Sequence, residues 1–204
     1  MIEVAGADRY ITLDLHAGQI QGFFSIPGDV LTAFSILMEY LKDNRPNMVN
    51  PVVVTADLGF AKKARNYAAG LDVPMAFIEK RRSANDSKSQ ALTLIGDVNE
   101  RDAVIVDDEV DTGGSISQAV NLVKNYGARK VYCVFVHPLF SLNAAERMGA
   151  PPVTEFVTTD SVPVPPEKRA FFGDRLKTLS VSPLLGEVIR RAHEGRSVGE
   201  MFNE

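Results

Sequence analysis

The residues best equipped for chemistry lie between Ala103 and Ser115, AVIVDDEVDTGGS. An apolar run passes into adjacent carboxylates, Asp107 and Asp108, then Glu109 and Asp111, and then Thr112-Gly113-Gly114-Ser115 ahead of a helical pattern. Ionised carboxylates only accept hydrogen bonds, so a neighbouring pair suits paired sugar hydroxyls. Two glycines before a helix let backbone N–H groups turn toward an anion, where the helix dipole favours negative charge. A diol site beside a phosphate site reads as a cradle for ribose 5-phosphate. The plainer alternative is a strand-to-helix turn in which Asp111 or Ser115 caps the helix. A cap employs one side chain and leaves the other acids, which repel one another, without a reason to follow a buried strand.

Three further groupings carry weaker signals. In Thr55–Lys63, TADLGFAKK, Asp57 ends a valine-rich run before a glycine turn and a helix. It could be a helix N-cap, or a pyrophosphate or Mg²⁺ contact with Lys63 in reach of the anion. In Leu13–Phe24, LDLHAGQIQGFF, Asp14 and His16 alternate along a strand and so share a face. They form either a hydrogen-bonded pair at a strand end or two contacts to one metal–phosphate group. Glu79–Arg82, EKRR, is a solvated charge run or a set of cations that neutralise spreading phosphoryl charge. His137 and His193 read as a strand-end and a surface-helix residue without partners. Cys133, the single cysteine, sits in an apolar run and reads as a buried hydrophobe.

These residues need a scaffold, and the hydrophobic pattern supplies one. Tyr10–Leu13, Val52–Thr55, Met75–Ile78, Leu92–Ile95, Ala103–Val106, Val131–Val136 and Phe156–Thr158 read as strands. Leu31–Lys42, Phe60–Ala69, Ile116–Tyr126, Asn143–Met148 and Pro183–Arg191 read as helices, with Gly70, Gly127 and Gly149 at C′ positions. Alternation of the two predicts an α/β fold, a mostly parallel sheet with helices on both faces. Lys80–Ser89 reads as a polar loop and Val162–Arg169 as a proline-rich connection. Met1–Ala5 with Gly6 resembles the last turn of a helix, so the chain reads as starting within a longer architecture.

Composition sets the outer limits. The 204 residues are 45% hydrophobic and 24% charged, with a net charge of −4 and no basic tract, which argues against nucleic acid as the main partner. No leader pattern and no run of membrane length is evident, as expected of a cytoplasmic protein away from membranes. The acids of the central loop would need a cation to admit a phosphorylated ligand, and Mg²⁺ suits oxygen ligands.

VIVDDEVDTGGS resembles the ribose 5-phosphate loop of type I phosphoribosyltransferase-fold proteins. ITLDLHAGQIQGFF and the closing IRRAHEGRSVGEMF are similar to the ribose-phosphate pyrophosphokinases, the phosphoribosyl pyrophosphate (PRPP) synthases. The resemblance implies transfer of the diphosphoryl group of ATP to the anomeric hydroxyl of ribose 5-phosphate, giving PRPP and AMP, with Mg²⁺ and in a homo-oligomer. It implies a phosphoribosyltransferase-type domain over 33–204, preceded in 1–32 by the remnant of a similar half, with the last helix packing on that half. Asp107 and Asp108 would hold the ribose hydroxyls, and Asp111, Thr112, Gly113, Gly114 and Ser115 the 5-phosphate. His16 and Asp57 would contact Mg²⁺–ATP, Lys63 the pyrophosphate, and Asp14 and Asp29 the cation; Lys80 and Arg82 would stabilise the transition state. Ser25, Phe60, Lys63 and a short KRRSAN segment depart from the family pattern, which keeps open a non-catalytic, ribose 5-phosphate-binding associate of the enzyme. A phosphoribosyltransferase that consumes PRPP leaves the DLHAGQIQGFF segment without a role.

Overall fold

The computed structural model describes residues 1–82 and 90–201, and at 80–82, 90, 91 and 200 the backbone alone. Its strands are β1 (Tyr10–Leu13), β2 (Gly28–Leu31), β3 (Val52–Thr55), β4 (Met75–Arg82), β5 (Gln90–Ile95), β6 (Ala103–Glu109), β7 (Val131–His137), β8 (Glu155–Thr159) and β9 (Leu176–Leu179). The helices are α1 (Phe34–Asn44), α2 (Ala61–Leu71), α3 (Gly114–Asn125), α4 (Ala144–Gly149), α5 (Pro166–Arg169) and α6 (Ser182–His193).

Seven strands form one sheet in the order β5-β4-β3-β6-β7-β8-β9, parallel throughout except for the antiparallel edge pair β4–β5. The central strands are apolar along their length because both faces are covered: Val52, Val53 and Val54 are all fully buried, alternately against opposite layers. On one side Ile116, Ala119, Val120 and Val123 of α3 pack with Phe135, Phe140, Phe156 and Phe172. On the other, Leu37, Met38 and Leu41 of α1 and Ala64, Tyr67, Ala68 and Leu71 of α2 pack with Val104, Val106 and Val134.

From β3 the chain crosses through α2 to β4 on one side, and from β6 it crosses through α3 to β7 on the other. The direction of winding therefore reverses between β3 and β6. Their carboxyl ends splay apart in a crevice, the usual ligand position of an open α/β sheet.

A separate parallel pair, β1–β2, has Tyr10 opposite Gly28 and Leu13 opposite Leu31. Leu31 packs with Val188 of α6 and Val198, and Ile11, Leu13 and Leu185 adjoin them. The closing helix thus lies under the pair.

Several boundaries differ from the sequence reading. Leu31 ends β2 and the helix starts at Phe34. β2 and β9 were not foreseen; both are short, half-exposed and carry little alternation. Glu79–Arg82 belongs to β4, which runs well beyond Ile78, so Lys80 and Arg82 lie on a strand; the rest of the expected loop, 83–89, lies outside the described residues. Gly70 lies inside α2 and Asp72 takes the left-handed turn at φ +52°. Gly127 does occupy a left-handed position, φ +88°, whereas Gly149 is the last residue of α4. Residues 166–169, within the proline-rich connection, form the one-turn α5. Met1–Ala7 forms a short turn, Ala5 N–H donating to the Met1 carbonyl at 2.9 Å, with Gly6 at φ +96°.

Candidate active site

Strand β6 carries the acids further than expected: Asp107 pairs in register with Phe135 and Glu109 with His137, so the carboxylates ride on the strand end itself. Beyond it, Asp111–Ile116 turns into α3, whose N-cap is Gly113 at φ +71°, with no side chain capping the helix. Asp111 and Ser115 are therefore not the N-cap. Asp57, at the end of β3, does act as one: its Oδ1 accepts from Gly59 N–H at 2.8 Å.

Two clefts adjoin here. One, about 170 Å³, is lined by His16, Asp57 and the continuous stretch Asp107–Ile116. The other, about 380 Å³, shares His16, Asp57, Asp107 and Asp108 and opens toward Gly59, Phe60, Lys62 and Lys63. The shared wall of acids thus has glycine-rich backbone on one side and two lysines on the other.

The carboxylates influence one another. Burial, and then the charge of Asp108, push the Asp107 carboxyl up to about 7, with Asp57 adding to the effect; the Asp108 N–H, donating to Asp107 Oδ1 at 3.0 Å, opposes it. His16 Nδ1 lies 3.1 Å from both Asp108 oxygens and 3.7 Å from Glu109 Oε1, and the bond to Asp108 raises the imidazole above its ordinary value.

Asp14 does not share a strand face with His16. It leaves β1 at φ +42°, and its carboxylate is buried at 4% exposure. There it accepts from Thr32 Oγ1 at 3.1 Å, Ala33 N–H at 2.6 Å and Lys63 Nζ at 3.1 Å. Asp29 pairs with Arg9 across β1–β2. Neither carboxylate lines either cleft. Ser25 donates to Glu3 through both its N–H and its hydroxyl. Phe60 is buried, with Lys63 Nζ 5.7 Å from its ring centre. Lys80 and Arg82 have described backbones only, so their side chains lie outside the described residues.

No grouping of three or more metal-ligating side chains occurs among the described residues. The donors that do converge, His16 and Asp57 beside Asp107 and Asp108, leave most of a cation's shell to other oxygens. That fits Mg²⁺, which keeps waters and shares phosphate oxygens.

His137, read from sequence as lacking partners, has them, and Arg147 makes a contact that the sequence reading missed. His137 Nε2 lies 3.1 Å from the Leu13 carbonyl and 3.0 Å from that of Asp14, and its Nδ1 lies 2.9 Å from Ser161 Oγ. Arg147, on α4, donates to the Thr112 carbonyl. The contacts to Leu13, Asp14 and Thr112 each span 35 or more residues, and no local spacing announces them. Cys133 is fully buried in β7, and burial raises its thiol, in keeping with the hydrophobic role expected from sequence.

A model of the phosphoribosyl synthetase-associated domain matches residues 84–203. The chain is 42% identical to a ribose-phosphate pyrophosphokinase of Oceanobacillus iheyensis over 203 residues, 100% of this chain and 62% of that protein. It is 41% identical to that of Aquifex aeolicus over 202 residues, 99% of this chain and 63% of that protein. The crystal structure of phosphoribosylpyrophosphate synthetase from Mycobacterium smegmatis matches with a TM-score of 0.85 and 36% identity, over 95% of this chain and 61% of that one. The chain thus spans about 62% of the length of its curated relatives. No helix among the described residues is long and apolar enough to cross a membrane.

Proposed function

We propose that this chain, which belongs to the phosphoribosyl synthetase-associated domain family, is the part of a ribose-phosphate diphosphokinase that holds ribose 5-phosphate and one wall of the diphosphoryl donor's site. The carrying observation is the pair of clefts sharing His16, Asp57, Asp107 and Asp108. In the first, Asp107 and Asp108 accept from ribose hydroxyls while the Asp111–Ser115 backbone receives the 5-phosphate. In the second, Lys63 meets the polyphosphate of ATP, held against Phe60 and Asp14.

In the proposed reaction the anomeric oxygen forms a bond to the β-phosphorus of ATP. The bond from that phosphorus to the bridging oxygen of AMP breaks, and the hydroxyl proton passes to solvent. The chain's own task is to set the two groups in line and to offset charge. His16 and Asp57 are the residues that would hold Mg²⁺, which supplies charge neutralisation to the phosphate oxygens when bound. Lys80 and Arg82 are proposed to stabilise the transition state. Their strand pairs with β3, whose carboxyl end carries Asp57.

Residues 1–32 are proposed to belong with a preceding half and 33–204 to form the phosphoribosyltransferase-type domain. Exposed Ile20 and Phe23 in the first segment are surface that such a half, or another copy in a homo-oligomer, would cover. A non-catalytic associate of the enzyme is the second reading, favoured by Phe60 in the lysine-lined cleft.

The test measures AMP release from ATP, dependent on ribose 5-phosphate. It compares this chain with the same chain extended by the segment its relatives carry. Turnover in the extended protein is the expected result. Ribose 5-phosphate binding without turnover in either would select the non-catalytic reading, and no binding at all would overturn both.

A further inference from the structure

The anion-binding turn is held from behind by the β7–α4 connection and by α4. The Val110 carbonyl accepts from Phe140 N–H at 2.9 Å and the Asp111 carbonyl from Ser141 N–H at 2.9 Å. The Thr112 carbonyl accepts from Arg147 Nη1 at 2.7 Å, and the Gly113 carbonyl from Ser117 N–H at 3.0 Å. Four consecutive carbonyls are therefore engaged, three by backbone groups and one by a side chain.

A trans peptide is planar, with its N–H antiparallel to the preceding C=O. Fixing the carbonyls of residues 110–113 fixes the N–H groups of Asp111, Thr112, Gly113 and Gly114 in the opposite sense. These residues line the 170 Å³ cleft, and none of the four N–H groups has a hydrogen-bond partner among the described residues. The Thr112–Gly113 peptide is the one most free to rotate, because glycine at φ +71° has access to both signs of φ. Arg147 alone holds it. Its other arm, Nη2, donates to Asn143 Oδ1 at 3.2 Å, so the guanidinium is clamped at both ends. Met148 closes behind the turn, with its Cγ 2.8 Å from where a Gly113 Cβ would stand.

We infer that Arg147 is a positioning residue for phosphate capture. By keeping the Thr112 carbonyl on the far side of the turn it aims the Gly113 N–H at the anion. This rests on the proposed ribose 5-phosphate site. It adds a residue that touches no substrate and sets the strength with which the phosphate is held.

The experiment follows backbone amide resonances of Gly113 and Gly114 while the chain is titrated with inorganic phosphate and then ribose 5-phosphate. In the native chain both amides are expected to move downfield as they donate to the anion. Arg147→Met keeps the stem and is expected to lose the Gly113 shift and to weaken ribose 5-phosphate about tenfold, the scale of one charge-assisted hydrogen bond. Arg147→Lys keeps a charge and a donor and is expected to recover most of the affinity. Arg147 is solvent-exposed, so the fold is expected to persist, with urea midpoints as the control; Arg147→Ala is the second variant. Native affinity and an intact Gly113 shift in both truncations would reduce Arg147 to a surface staple and overturn the inference. No shift in the native chain would overturn the ribose 5-phosphate reading itself, and this inference with it.

Discussion

Asp107 shows how neighbours change the chemistry of one side chain. A carboxyl that ordinarily loses its proton near 4 retains it to about 7, chiefly because burial disfavours the ion. The linkage has a definite sign. The native state binds the extra proton between roughly pH 4 and pH 7, so stability falls as pH rises through that window and levels off above it. Asp107→Asn is expected to flatten the decline, which amounts to at most about 4 kcal/mol for a three-unit shift. Urea midpoints at pH 5.5 and 8 check this, and an unchanged slope would show that the carboxyl is not strained. The DDEVDTGGS stretch was legible in sequence because its donors and acceptors are contiguous. Asp14 was not: its expected partnership with His16 assumed that the strand continues, and a left-handed backbone at Asp14 turns its carboxylate to Lys63 instead.

At the scale of elements, the apolar periods located the buried strands and the longer helices, since strands covered on both faces have little freedom of composition. The edges were harder. β2 and β9 bury only part of their surface, and Lys80–Arg82 joins β4 through pairing with β5 in spite of its charge. The same edge offers a test of backbone constraint. Gly96 follows β5 at φ +116°, and a Cβ there would sit 2.7 Å from Ala76 Cβ and 2.9 Å from Ala76 Cα. Because the obstruction includes backbone, Gly96→Ala is expected to cost about 2 kcal/mol. A thermal midpoint lowered by several degrees would bear this out. A neutral substitution would mean that β4 and β5 separate at no expense.

Across the whole molecule, the question is how the β1–β2 pair reaches the crevice of the large sheet. Two pins do it. Lys63 of α2 reaches the buried Asp14, and His137 at the end of β7 spans from Ser161 to the carbonyls of Leu13 and Asp14. Since Nε2 faces two carbonyls, it carries a proton, while Nδ1 rests against the Ser161 hydroxyl. Both pins sit just before His16, which the Asp108 contact then completes. His137→Phe leaves two carbonyls without their donor, at a cost of about 1–2 kcal/mol. It is expected to speed hydrogen exchange across residues 10–17 while leaving the 111–115 turn protected. Equal protection in both segments would show that α6 alone secures the pair.

The amino-acid order alone determined the doubly covered, mostly parallel sheet and the acid–glycine turn, because periodic burial and a contiguous run of acids and glycines are local in the chain. Only the tertiary structure decided that Asp14 serves Lys63 and not the clefts, that His137 holds the segment ahead of His16, and that Arg147 anchors the Thr112 carbonyl. Each depends on groups brought together across 35 to 124 residues, where closeness is set by packing and leaves no mark on spacing.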